Sequence, residues 1–457
     1  MNLPIPLLAQ LEGLTSFSDE SFKAAHQLLP PTSIRLHPIK GLQVPLQDTK
    51  PIPWCSAGYY LPERPLFTAD PFLHAGGYYV QEASSMFLDR VLRCLCPDPA
   101  HLRVLDLCAA PGGKSTLLAS HLSASSLLIS NDVIRTRAAI LEENMTRWGY
   151  SNTWVTSNDP RDFGRIADYF DLIVVDAPCS GSGLFRKDAR ALNEWSEANV
   201  QLCSERQQRI LADVYPALKK EGYLVYATCS YSPAEDEAIL DFLADEFEVV
   251  SIDIPIEAEW GITPTLSPRH QMNGYRFFPD KVKGEGFFIA VLQKKDGAES
   301  FQYPRFRSVH HKKIAEQTQH LLAQEDYHCI ENDRGVYSAI KAQHEADFHF
   351  LRSYVYLRRA GTLLGAPTAK EWVPEHDIAL SVDCHPQLSC IDVDLENALL
   401  FLKKDQFNLP EQTSKGWHIV RYQGQGLGWI KALGNRVNNY LPKNWRIRMD
   451  IDFDALQ

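Results

Sequence analysis

The feature that most constrains this chain is an alternation of short apolar runs and helical patterns between residues 103 and 228. Arg103-Val-Leu-Asp-Leu107, Leu127-Leu-Ile-Ser130, Thr153–Thr156, Asp171-Leu-Ile-Val-Val-Asp176 and Tyr223-Leu-Val-Tyr-Ala227 read as strands. Helices are expected over Gly113–Leu122, from about Ile134 to Trp148, and in a long segment carrying Ile210, Leu211, Val214 and Leu218 on one face. Runs that are apolar on both faces belong to strands covered on both sides, and strands alternating with helices build βαβ units. The expectation is an α/β core with a doubly wound, mostly parallel sheet. Two further strands, near Glu248–Ile252 and Gly286–Leu292, bring the count to seven and close the core at about residue 295.

The 457 residues allow about three domains. Residues 1–72 are proline-rich and suit a small α+β unit with a short helix near Ser18–Leu29, capped by Ser18. Residues 73–295 hold the core, with a helical pattern over Gln81–Cys96, 296–385 a connecting region, and 386–457 a small β-rich unit. Apolar residues at 45% and charged residues at 23% exclude a disordered tail or a collagen-like repeat. No run approaches the ~18 apolar residues of a spanning helix, and the start lacks a basic region ahead of an apolar stretch. Ten cysteines without a dense framework fit a reducing cytoplasm. The net charge of −11 excludes a uniformly sticky nucleic-acid coat and leaves room for a local basic face. Cys94-x-Cys96 lacks a second pair, and Cys384-His385 with Cys390 lacks zinc spacing, so no metal is expected. A monomer without membrane contact completes the expectation.

Asp106-Leu-Cys-Ala-Ala-Pro-Gly-Gly-Lys-Ser115 ends the first core strand and opens a helix. A phosphate loop needs glycine five residues before Gly113, where Cys108 stands, and the three spaced glycines of a dinucleotide fold are missing. Asp132 ends the second strand, 26 residues after Asp106, where a carboxylate can accept both hydroxyls of a ribose. Asp159, after the third strand, is placed to reach an adenine amino group. Nucleoside contacts without a phosphate cradle point to S-adenosylmethionine rather than ATP or NAD. The bland alternative is that each Asp caps a helix or turn.

Asp176-Ala-Pro-Cys179 ends the fourth strand and Thr228-Cys229-Ser230 the fifth, so two cysteines 50 residues apart leave adjacent strand ends. Carbon 5 of a pyrimidine becomes nucleophilic only after a thiolate adds at carbon 6, helped by an acid at N3. Two thiols, an acid and a methyl-donor site are what such a reaction requires. Cys229 is the better nucleophile locally, because Ser232-Pro-Ala-Glu235 reads as a capping box that would put a helix N-terminus just downstream. Amino-group methyltransferases place an aromatic turn at the end of this strand, and here the slot holds Cys179.

These pieces resemble the Nol/Nop/Sun-type RNA (cytosine-5) methyltransferases. The likeness lies in Asp106–Lys114, Asp176-Ala-Pro-Cys-Ser-Gly181, Gly183-Leu-Phe-Arg-Lys187 and Tyr226-Ala-Thr-Cys-Ser-Tyr231, and upstream in Ser33–Pro38, Trp54–Tyr59 and Gly77–Ser85. The resemblance implies a Rossmann-like core in which Cys108, Ala109, Ala110, Pro111, Gly112, Gly113, Lys114, Asp132, Arg137, Asp159 and Asp176 bind S-adenosylmethionine. It implies that Cys229 is the nucleophile, that Asp176 serves the reacting base, and that Cys179 assists release of product. Asp132 is a departure, since relatives often carry Glu there, and the ribose role is kept. The implied substrate is ribosomal RNA, foremost 16S RNA in the small subunit or its precursor. Transfer RNA, or a non-catalytic role in ribosome assembly, stays open as an alternative.

Residues 401–457 carry nine Lys or Arg against five Asp or Glu, with Tyr422, Trp429, Tyr440 and Trp445 among them. Basic groups meet phosphates and rings stack on bases, although tryptophans can equally fill a small β core. The segment resembles a PUA-like RNA-binding domain. Lys187, Arg305, Arg307, Lys431, Arg436, Lys443 and Arg446 are the expected RNA contacts.

Overall fold

The computed structural model describes residues 2–14, 17–40, 48–298, 301–323, 326–410, 413–434 and 436–452. Five parallel strands form the middle of the main sheet, in spatial order Thr153–Thr156, Leu127–Asn131, Arg103–Asp106, Phe170–Asp176 and Leu218–Thr228. The chain builds outward from Arg103–Asp106 on one side, then returns to add Phe170–Asp176 on the other. Alternate side chains take opposite faces, as strand geometry requires. Val104, Leu128, Leu172, Val174 and Val225 pack against Leu117, Leu118, Leu141 and Met145 of the helices Gly113–His121 and Arg135–Trp148. Leu105, Ile129, Ile173, Val175 and Leu224 pack on the other side, against Ile210, Leu211 and Val214 of Glu197–Val214 and Ile239, Leu240 and Leu243 of Glu237–Glu246. Each such fully buried side chain contributes about 1.5–3 kcal/mol.

The sheet has ten strands rather than seven. Phe287–Lys294 runs antiparallel to Leu218–Thr228, and Val249–Ser251 pairs with it. A hairpin of Thr263–Leu266 and Asn273–Phe277 extends that edge. Pro264 and Gly274 hide this hairpin in the sequence: Pro264 is tolerated because its strand is the outermost, and the Phe288 ring covers Gly274. At the opposite edge, Leu357–Arg359 pairs antiparallel with Thr153–Thr156.

Among the described residues three smaller sheets accompany the core. The first joins Lys50–Ile52, Cys55–Leu61, Thr32–Leu36 and Tyr78–Val80, so its last strand lies beyond residue 72. Its preceding helix, Asp19–Ala25, is capped by Ser18 as expected and stops short of Leu29. Buried Arg35 ties this sheet to the core by bonding Gln81 Oε1 at 2.8 Å and Thr116 Oγ1 at 2.5 Å. Residues 296–385 are more than a linker, because they carry a second sheet of Tyr327–Glu331, Tyr337–Lys341, Thr362–Pro367 and Trp372–Pro374. A last sheet contains Cys390–Val393, Gly416–Tyr422, Gln425–Ala432 and Val437–Asn439, backed by the helix Leu395–Lys403. Among the described residues no helix is long and apolar enough to cross a membrane.

Arg359 joins the flanking region to the core: its Nη1 donates to the Thr153 carbonyl at 2.9 Å and its Nε to Asp377 at 2.8 Å, all buried. Removing one member of a buried pair strands the other charge, at about 3–5 kcal/mol. Arg359→Met is therefore expected to lower the urea unfolding midpoint by that equivalent, and a midpoint matching the parent's would show the pair to be dispensable.

Candidate active site

Parallel register brings the functional residues to one edge. Asp106 lies next to Val174 on one side of Phe170–Asp176, and Asp176 lies opposite Ala227 on the other. Strand order reverses between Arg103–Asp106 and Phe170–Asp176, and open α/β sheets bind ligands at the carboxyl ends beside such a reversal. A cavity of about 380 Å³ opens there. Asp106, Cys108, Ala109, Ala110, Pro111, Gly113, Lys114, Asp176 and Cys229 line it, with Tyr79, Gln81 and Glu82 from the N-terminal region.

The turn from Cys108 to Gly113 hugs the sheet: Ala109 N donates to the Asn131 carbonyl at 2.8 Å. Gly112 has φ of +118°, which a residue with Cβ rarely adopts, and this conformation starts the helix Gly113–His121. Ser115 Oγ, on that helix, donates to Asp106 Oδ2 at 2.6 Å. Burial, with help from nearby Asp176, pushes the Asp106 carboxyl up to about 7. Burial also raises the Cys108 thiol. Burial works against the Lys114 charge, yet the ammonium is held above its ordinary value by Asp176, 2.8 Å away, with Cys229 among the lesser contributors.

The two cysteines meet behind this pair. Cys179 Sγ and Cys229 Sγ are 3.0 Å apart and both thiols are free of disulfides. The bond to Cys229, and then burial, raise Cys179 well above an ordinary thiol. Close backbone contact fixes the arrangement. Gly183 N donates to the Cys229 carbonyl at 2.9 Å, and a Cβ on Gly183 would lie 2.4 Å from the Gly286 carbonyl oxygen. The capping box expected at Ser232–Glu235 does not form. Ser232 makes no side-chain cap, Pro233–Glu235 is a 3₁₀ turn, and the Glu235 carboxylate points inward to the two cysteine loops. That removes the local helix-terminus argument for Cys229.

Other expected residues stand apart from the cavity. Asp132 and Arg137 lie beyond its lining: Arg137 donates to the Ala110 carbonyl at 2.7 Å and sits 3.3 Å from Asp132 Oδ2. Asp159 is the N-cap of Pro160–Gly164 and bonds Arg161, which holds its carboxyl below the usual range. Of the basic side chains, Lys187 is exposed in a groove of about 950 Å³ that shares Val80, Gln81 and Glu82 with the catalytic cavity. Arg305, Arg307, Arg436, Lys443 and Arg446 are exposed, whereas Lys431 is engaged by Glu371. Trp429 is core, bonded to the Glu375 carbonyl at 2.9 Å, and Trp445 lies under Arg147. Sequence reasoning missed Tyr79 and Glu82 as cavity walls and Glu235 as a link. The likeness of Gly77-Tyr-Tyr-Val-Gln-Glu-Ala-Ser-Ser85 to the family was the signal for the first two.

Family comparisons agree along the chain. The family described as 16S rRNA methyltransferase RsmB/F matches residues 93–293, the methyltransferase RsmF PUA domain 389–447, and the N-terminal domain of 16S rRNA methyltransferase RsmF 3–83. A Shewanella piezotolerans protein named ribosomal RNA small subunit methyltransferase F is 30% identical over 409 residues, covering 86% of this chain and 85% of that one. The chain belongs to the ribosomal RNA small subunit methyltransferase F family. A Salmonella newport protein of the same name is 30% identical over 417 residues, covering 86% of this chain and 84% of its own. As a member of that family, the chain is an S-adenosylmethionine-dependent RNA methyltransferase with a Rossmann-like core and a C-terminal PUA domain. Two solved structures share the fold: PH0851, with TM-score 0.56 and 24% identity, covering 64% of this chain and 66% of its own, and NSun6 from Pyrococcus horikoshii with SFG, with TM-score 0.52 and 20% identity, covering 64% and 98%. The site fits the family's methyl donor, since Asp106 Oδ1, in the cavity wall, is a buried acceptor without a hydrogen-bond donor.

The raised Asp106 carboxyl has a stability consequence. Below about 4 it is protonated folded or unfolded, and between about 4 and 7 only the unfolded chain ionises, so stability falls as pH rises through this window. Three pKa units amount to about 4 kcal/mol. Asp106→Asn, measured without added cofactor, should lack that part of the slope in a series of melts from pH 4 to pH 8. Parallel curves for parent and variant would refute the assignment.

Proposed function

We propose that this protein methylates carbon 5 of a cytosine in ribosomal RNA, specifically 16S RNA, through a covalent bond between Cys229 and carbon 6. The observation that carries this reading is the meeting of two thiols, 3.0 Å apart, with Cys229 in the same cavity as the Lys114–Asp176 pair. Amino-group methylation requires no thiol, whereas carbon-5 methylation requires one in line with the ring and benefits from a second. The relatives' names support the choice of 16S RNA, and the groove at Lys187, running into the cavity, supports an extended polyanion as substrate.

The Cys108–Lys114 turn, Asp132, Arg137, Asp159 and Asp176 would hold S-adenosylmethionine, with the unbonded Asp132 Oδ2 accepting from the ribose. Asp159 reaches an adenine only on releasing Arg161. When bound there, the cofactor supplies an electrophilic methyl group. Cys229 attacks carbon 6 of a base seated in the cavity. The Lys114–Asp176 ion pair holds the ammonium proton toward N3 as charge moves onto the ring. Once carbon 5 has gained the methyl group its proton passes to water, the ring double bond reforms and the Cys229–carbon 6 bond breaks. The Cys179 thiol, held up by the Cys229 contact and burial, faces the departing sulfur. Exposed Arg305, Arg307, Arg436, Lys443 and Arg446 are proposed phosphate contacts, and Lys431 joins them on exchanging Glu371 for phosphate.

The roles of the two thiols are separable. Cys229→Ala should abolish both methyl transfer and any covalent enzyme–RNA adduct. Cys179→Ala should still attack and transfer the methyl group, then remain attached, giving a slow band on a denaturing gel after incubation with RNA and donor. The reverse pattern would exchange the roles, and absence of product on unmodified 16S RNA and on 30S subunits would sink the substrate assignment.

A further inference from the structure

Three consecutive acids, Glu235, Asp236 and Glu237, are buried just after the Cys229 loop. Arg276 answers two of them, bonding Glu237 Oε1 at 2.7 Å and lying 3.1 Å from Asp236. Glu235 has no ion-pair partner among the described residues, and four neutral donors surround it instead. Ser180 N and Gln207 Nε2 donate to Oε1 at 2.8 and 3.1 Å. Ser180 Oγ and Ser230 Oγ donate to Oε2 at 2.5 and 2.7 Å. A buried carboxylate is tolerated only when donors replace its water, and this one receives a full set.

The donors come from particular places. Ser180 directly follows Cys179, Ser230 directly follows Cys229, and Gln207, from the helix Glu197–Val214, also bonds the Pro178 carbonyl at 3.0 Å. One carboxylate thus spans the two loops whose sulfurs are 3.0 Å apart. We propose that Glu235 is a positioning residue of the two-thiol site: it clamps the Cys179 loop to the Cys229 loop. The inference rests on the reading that these cysteines act together in methyl transfer. Its physical content is twofold. The four bonds set the sulfur spacing, and the uncompensated negative charge adds to the groups that hold the proton on Cys179, after the Cys229 contact and burial.

Glu235→Gln keeps the size and removes the charge. Alkylation of each cysteine as a function of pH, followed by mass spectrometry on RNA-free protein, reads the thiols directly. The Cys179 profile should move to lower pH, with reaction at about pH 8 roughly tenfold faster, since one pKa unit is tenfold in thiolate. A carboxylate needed only for folding would leave that profile where it is, and an unmoved profile in the folded variant overturns the proposal. Ser230→Ala cuts the tie to the Cys229 loop and leaves the charge. It should lower kcat about tenfold with KM for RNA unchanged, and an unchanged kcat also overturns the proposal. If Glu235→Gln does not fold, Ser230→Ala decides. Because alkylation needs no substrate, it stands apart from the chemical reading, which fails by itself if Cys229→Ala still methylates RNA.

Discussion

The strand Phe170–Asp176 pairs in parallel with Arg103–Asp106 on one side and Leu218–Thr228 on the other, and the site is a consequence of that double pairing. Hydrogen-bonded ladders fix register, and a slip of one residue would turn every side chain to the opposite face. Asp106, Asp176 and the turn at Cys229 therefore finish level, without any loop having to search for its place. The loops add only short-range detail: a glycine turn at Gly112 and a glycine crossing at Gly183 and Gly286.

Charge in this cavity is lopsided. Glu82 and Asp176 line it against Lys114, while Glu285 is answered by Arg186 and Asp106 is pushed toward its neutral form. Such a floor attracts a positively charged ligand, and the methyl donor carries a sulfonium. Low dielectric then sharpens differences between neighbouring groups. Asp106 and Cys179 are pushed toward their neutral forms while Lys114 keeps its charge.

The parallel core was legible because its strands are apolar on both faces and alternate with helices, a pattern with few other solutions. The meeting of the Cys108–Gly113 turn and the Cys229 loop at one edge was legible because parallel strands bring their carboxyl ends together. Other features were not. The hairpin at Thr263–Phe277 is punctuated by Pro264 and Gly274, which argue locally against strands. The sheet within 296–385 begins after a stretch rich in His, Arg and Tyr that resembles a linker. Glu235 fits a local capping pattern, and only the fold could reveal that donors from two distant loops claim its carboxylate. Trp429 illustrates the opposite limit, where an aromatic among basic residues is core rather than surface.

The short strand Leu357–Arg359 lies against Thr153–Thr156, the last parallel strand of the core. Without it, that strand would present a row of unpaired amide and carbonyl groups to solvent, an invitation for another chain to add on. The region beyond residue 300 thus shields the core's edge as well as linking it to the last sheet. Modular though the chain looks, its catalytic core borrows solubility from its C-terminal neighbour, and a shortened version that keeps every catalytic side chain would carry a self-adhesive border.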